Sequence, residues 1–575
     1  MFLKSVIKSL MGREESTASA ADGSSQPTGS KEGGKSVQKS APAEAGSLLD
    51  LEQKEQSMPA AEVEGTILFS KEGVVQGPEG KFDAQARYRS AAEKGDVSAQ
   101  FKLGMAYATG IGVAPDPGLA ATWLTRAAER GEPVLQFQVA TFFENGKGVE
   151  RNLGLAVKWY GLAADRGLAT ACAKYAALVE QGEAGAVPMV KLVKFYRTAA
   201  EQGVAEAQYQ LGRLLVSETP SVRDLTGGAY WLGQAAQQKH AQAQYELGMC
   251  HKKGVFGEQS PRLASTWFAQ AADNGHAAAQ YELGVMYQLG VVHARNPIEA
   301  LKWFKKAAYQ DHAEAAFNVG SSYERGLGTS ADVSEAARYY LIAANQGLGK
   351  AEYKVGKLCL EGKGVPHAVL DAFRWFAKAA DKKHAAAQYQ LGMMWLEGST
   401  GETSPERAVE CFELAAKRGH PAALHQLGVC HQEGVGVGKN LVEGARLIQK
   451  AAMQGYVASQ NRMGLMLESG LGVEVNRADA VKWFQKAADR GYVEAQFNLG
   501  TRHEQGQGVR EDFSEAYKWF TLAAAQGHEN AGQRRDQLAQ RMTSEQIAEA
   551  QQRCRSFKVL QPGTVVSETS IWGTL

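Results

Sequence analysis

The pair Ala-Ala begins at residues 91, 127, 163, 199, 235, 271, 307, 343, 379, 415, 451, 487 and 523, an unbroken spacing of 36. No other feature constrains this chain so tightly. A period of that length predicts an array of supersecondary units, each burying its apolar face against its neighbours. With 15 prolines in 575 residues, composition favours helix.

Each unit reads as two helices. In the last, the first helix spans 494–506, the second spans 514–524, and a loop with Gly506 and Gly508 joins them. Apolar residues Ala516, Trp519, Phe520 and Ala523 recur at three-and-four spacing, so one face is buried. A glycine closes the second helix at 131, 167, 203, 275, 347, 419, 455, 491 and 527, as a left-handed cap requires. Lys239, Asp311 and Lys383 replace it at a cost in strain.

Glycine also recurs inside the first helix, at 104, 212, 248, 284, 320, 356, 392, 428, 464 and 500. Each costs about 1 kcal/mol relative to alanine. Such repetition makes sense where a second helix crosses closely. The tryptophans at 123, 159, 231, 267, 303, 375, 483 and 519, with Phe195 and Tyr339, are expected to be the large groups filling that crossing.

Ala99, Leu103, Gly104, Tyr107, Gly110, Gly112, Val113, Ala120, Trp123, Ala127, Ala128 and Gly131 resemble the pattern of the Sel-one-like repeat family, a relative of the tetratricopeptide repeat. The resemblance implies an all-α, right-handed α-α superhelical solenoid of about twelve 36-residue two-helix repeats over residues 81–541. A helix at 81–94 would cover the first unit. Thr543 and Gln546 form a capping box that opens a closing helix at 542–557. Residues 558–575 read as a tail carrying the apolar pair Ile571-Trp572.

Residues 13–80 read as a disordered linker, because the Ser/Gly-rich part to residue 48 has no aromatic residue to bury. Residues 1–12 put Phe2, Leu3, Val6, Ile7 and Leu10 on one helical face with Lys4 and Lys8 opposite. Two readings stay open there: a frayed terminus, or a short amphipathic anchor for a membrane surface or partner groove.

A net charge of +1 gives no basic field for nucleic acid. The six cysteines form no CxxC pair, which predicts no zinc knuckle and a reducing, cytoplasmic setting, with membrane association resting on residues 1–12. The paired cysteines of some secreted family members are absent, so their disulfide-stapled character does not transfer. The glycine loops recur between helices and read as turns rather than phosphate cradles. His240, His276, His312, His384, His420 and His528 form one column at a helix start and are too far apart to share a metal. His251, His431 and His503 replace a patterned tyrosine; Cys250 and Cys430 beside two of them occupy apolar columns. No metal or cofactor is expected.

Columns that repeat are explained by packing, so function is sought in columns that vary. The first helices line the concave face of related arrays. The matching candidates are Lys252, Lys253, Arg325, Glu361, Glu397 and Glu433. The three glutamates share one column and read either as a solvated face or as an acidic stripe for a basic protein or peptide segment. Glu218, Pro220, Ala184 and the Val255-Phe256 loop depart from pattern and mark a bend or docking point. The expected function is a non-catalytic scaffold or adaptor binding protein partners in signalling or complex assembly. The alternative is a hydrolase-like enzyme embedded in the array.

Overall fold

A computed structural model describes residues 83–183 and 187–559, with 27 helices and no strand among them. The N-terminal segment, the linker, Ala184 and the tail beyond Val559 lie outside the described residues. By its contacts the chain divides into an N-terminal unit ending at Glu246 and a C-terminal unit from Leu247 onward.

Twelve helix pairs, A then B, run from Val97–Thr109 with Pro117–Arg130 to Val493–Gln505 with Phe513–Ala525. Helix Ala84–Glu93 precedes them; Ala531–Ala539 and Ser544–Ser556 follow. The array is therefore an all-α solenoid of two-helix repeats. Thr543 caps the final helix, in a capping box with Gln546.

The glycines mark helix crossings. A Cβ on Gly284 would lie 2.7 Å from the Phe304 ring, and one on Gly356 would lie 2.8 Å from Phe376. The opposing residue is not the tryptophan but the one after it. Leu124, Tyr160, Tyr196, Leu232, Phe268, Phe304, Tyr340, Phe376, Phe412, Ile448, Phe484 and Phe520 are each at most 1% exposed. Successive helical residues point about 100° apart, and the crossing lies over the second of the two. Trp303, Trp375 and Trp483 are instead half-buried. A lysine one turn on covers each ring: Lys306 at 3.8 Å, Lys378 at 4.1 Å and Lys486 at 4.2 Å.

The B helices end as the sequence predicts, with two corrections. Gly167 N–H donates to the Ala164 carbonyl and Leu168 N–H to that of Ala163, a closed left-handed cap on the alanine pair. Lys239, Asp311 and Lys383 hold φ of 63°, 58° and 68°, and are the only positive-φ residues other than glycine among those described. Gly131 is the first correction: its helix runs on to Arg130 and Gly131 stays extended at φ −77°. The second is His528. Unlike His240, His276, His312, His384 and His420, whose Nδ1 accepts the N–H three residues on, it precedes a helix that starts at Ala531 behind Asn530.

The second loop glycine allows one repeat to touch the previous one. A Cβ on Gly328 would strike the Pro297 carbonyl, and one on Gly364 that of Val333. These loops are turns, as expected.

One recurrent column was not foreseen. A buried glutamine in the A helix donates Nε2 to the carbonyl of the second alanine of the preceding pair. Gln100 reaches Ala92 at 3.0 Å, Gln280 reaches Ala272 at 3.1 Å, and Gln136, Gln208, Gln244, Gln388, Gln460 and Gln496 repeat the bond. At most of these carbonyls, such as Ala92 and Ala272, it is a second hydrogen bond beside the one from the cap N–H three residues on. Signal existed in the Ala-Gln that recurs near the start of six of the twelve first helices.

Candidate functional site

The A helices end at a left-handed glycine. In the C-terminal unit the last helical residue before it is Lys253, Leu289, Arg325, Glu361, Glu397 and Glu433 in six successive repeats. The following glycines, 254, 290, 326, 362, 398 and 434, all have φ between 63° and 78°. All six side chains are exposed. The fold thus brings five of the six expected residues into one column, reading basic, apolar, basic, then acidic three times.

Lys252 lies elsewhere. Its Nζ is 2.9 Å from Glu282 Oε2 on the next A helix, with 14% and 13% of the two side chains exposed. Related pairs tie other neighbouring A helices. Glu324 accepts from the Tyr340 hydroxyl at 2.7 Å and from Lys354 at 3.0 Å; Glu180 accepts from Tyr196 at 2.8 Å and pairs with Arg213 at 2.5 Å. Burial, then the carboxylate, pushes the Tyr340 and Tyr196 hydroxyls far above their ordinary range. These partners lie 16 and about 30 residues apart, so helical spacing within one element does not expose them.

The acidic residues have surface partners. Glu361 lies 2.9 Å from Lys363 and 3.4 Å from Lys357, and the Lys363 hydrogen bond holds its carboxyl below the usual range. Glu433 lies 3.7 Å from Arg462. Exposed pairs of this kind contribute about 0–1 kcal/mol, so the carboxylates remain available to exchange partners. Their position runs against local electrostatics. The C-terminus of a helix carries about half a negative charge, and an acidic residue there costs roughly 0.3–1 kcal/mol. Lys253 and Arg325 suit it; Glu361, Glu397 and Glu433 do not.

Among the described residues no group of three or more His, Cys, Asp or Glu could hold a metal ion. Cys250, Cys411 and Cys430 are buried, and burial pushes the Cys411 thiol up to about 12 and Cys430 to about 11. The loop at Val255-Phe256 closes on its own helix, with Phe256 edge-on to His251 at 5.8 Å. Glu218 and Pro220 lie in the turn before Leu225–Gln237. No described helix is long and apolar enough to cross a membrane.

Comparison with known proteins follows the same 36-residue frame. The Sel1 repeat profile matches residues 97–132, 133–168, and then each window from 205–240 to 493–528, eleven in all. The skipped window, 169–204, has Ala176 in the glycine column but still forms helices Ala169–Glu180 and Met189–Glu201. The crystal structure of a protective antigen present in uropathogenic Escherichia coli strains, described as displaying an SLR fold, superposes with a TM-score of 0.64 at 24% identity. The match covers 82% of this chain and 94% of that one. A Sel1 repeat protein from Oxalobacter formigenes gives a TM-score of 0.44 at 27% identity over 57% and 93% of the two chains. No curated protein sequence matches.

Proposed function

Because this chain belongs to the Sel1 repeat family, we propose that it is a non-catalytic scaffold or adaptor, which gathers protein partners on its A helices in signalling or complex assembly. The observation carrying this reading is the set Glu361, Glu397 and Glu433. Packing does not require them, and helix electrostatics disfavours them at that position. Local rules broken for no more than exposed ion pairs of about 0–1 kcal/mol mark candidate functional positions. Together with Lys253 and Arg325 at the other end of the column, they suit a segment whose basic part faces the acidic repeats. Lys252 is committed to Glu282 and contributes by joining two A helices.

The hydrolase alternative finds little support. A serine–histidine hydrogen bond does exist, Ser459 Oγ to His425 Nδ1 at 2.8 Å. Ser459 is fully buried, however, so a substrate cannot reach it. Burial lowers the His425 imidazole to about 4.

The test is Glu361→Lys/Glu397→Lys/Glu433→Lys in the full chain, with recovered partners identified by mass spectrometry. We expect a partner carrying a basic segment to lose at least about tenfold in recovery, the equivalent of about 1.4 kcal/mol. An unchanged partner set would remove the stripe from the binding surface.

A further inference from the structure

After its closing helix the chain doubles back. Helix Ser544–Ser556 packs on Phe513–Ala525, with Arg553 Nη1 at 2.7 Å from Glu515. Phe557 then meets Trp519 of that B helix edge-on, centroids 5.3 Å apart and planes at 78°. Trp519 is 1% exposed. Val559 has already reached the preceding repeat, where its Cγ1 lies 3.4 Å from the position of a Gly491 Cβ. Three residues have carried the chain back by one repeat.

On helix Arg477–Ala488 no described aromatic ring meets the tryptophan edge-on in this way. Trp483 occupies the same column as Trp519 but is half-buried, with Lys486 over its ring. On the same two repeats Val442 is 70% exposed and Met453 69%. Large apolar groups left this open mark a docking surface.

We propose that this groove, between B helices Leu441–Met453 and Arg477–Ala488, is the seat of the chain's own tail, with Ile571 and Trp572 packed beside Trp483 as Phe557 packs on Trp519. Three observations select the tail over another occupant. Its last described residue, Val559, already lies against Gly491 at the end of helix Arg477–Ala488, one wall of the groove. The twelve residues from Val559 to Ile571 span up to about 40 Å when extended, whereas neighbouring helices lie about 8–10 Å apart. Charge agrees too. Glu568 is the single charged side chain of residues 560–575, and helix Arg477–Ala488 carries Arg477, Lys482 and Lys486 against Asp479. The tail is then a strap across the B helices of the last repeats.

Hydroxyl-radical footprinting of the full chain tests this, comparing the natural sequence with Ile571→Asp/Trp572→Asp. Oxidation of Trp483 and Met453 is expected to rise several-fold in the variant, while Trp519, covered by Phe557, stays unchanged and reports an intact fold. Equal labelling of Trp483 in both chains overturns the proposal. So does protection that appears with rising protein concentration, which would give the groove to a second copy. A photo-crosslinker at position 572 is expected to join residues of 441–453 or 477–488 within one chain; crosslinks confined to other helices also overturn it.

Discussion

An alanine methyl at Gly356 would lie 2.8 Å from the Phe376 ring and 3.2 Å from the Ala372 carbonyl. At Gly233, inside Leu225–Gln237, it would meet nothing within 4 Å. The same substitution should therefore act in opposite directions. Gly356→Ala is expected to destabilise by about 1–3 kcal/mol, since overpacking outweighs helix propensity. Gly233→Ala should gain about 0.5–1 kcal/mol from propensity alone, and thermal unfolding of the two variants checks both signs. Glu352 gives a second case. It occupies the glutamine column, buried, with Oε1 2.5 Å from Lys382 and a buried Oε2 that has no hydrogen-bond partner. Glu352→Gln supplies the amide that eight other repeats donate to the alanine carbonyl, here that of Ala344. Lys382 keeps its 2.6 Å bond to the Gly347 carbonyl. The variant should unfold at higher denaturant concentration, by about 1 kcal/mol of stability; an equal or lower midpoint would contradict this account of the column.

At the scale of the helix, the caps carry the clearest consequence. Lys383 holds a left-handed backbone that costs an L-residue roughly 1–2 kcal/mol. Lys383→Gly should raise the melting temperature, and Gly419→Lys at the equivalent position should lower it. Caps, loop glycines and the period itself were legible in the sequence because each is local: a residue type is demanded by a dihedral angle or a turn. The filler of the crossing was not. Trp375 and Phe376 lie on the same apolar stripe, and only the line of approach of the A helix decides which is enclosed. The glutamine column was visible as a recurrence, but glutamine reads as a surface residue until its carbonyl partner is known. The ion pair of Lys252 with Glu282 joins residues 30 apart, beyond the reach of any pattern within one helix. The column ending in Glu433 was legible as a set of positions, since the repeat register alone aligns it.

Across the array, the capping histidines make stability depend on pH. Burial lowers the imidazoles of His276, His312, His384 and His420, and takes His425 to about 4. For His312 the nearby Glu314 opposes the shift without reversing it. In the unfolded chain each titrates near about 6.5. Below that pH the unfolded state binds more protons, so stability falls as pH drops, until the folded-state values are passed. The melting temperature should fall by several degrees between pH 7.5 and 5.5, where carboxylates change little. His312→Asn/His384→Asn/His420→Asn keeps side-chain caps and should flatten that slope; an unchanged slope would place the sensitivity elsewhere. The glutamine amides also bear on how the repeats would part if the chain were pulled. Each one ties an A helix to the B helix before it, so these bonds lie in series along the chain, interrupted at the four repeats that carry Cys172, Ala316, Glu352 or Leu424 instead. Under tension the weakest link yields first and its neighbours then lose their support. Each 36-residue step would release about 120 Å of contour at roughly 3.4 Å per residue.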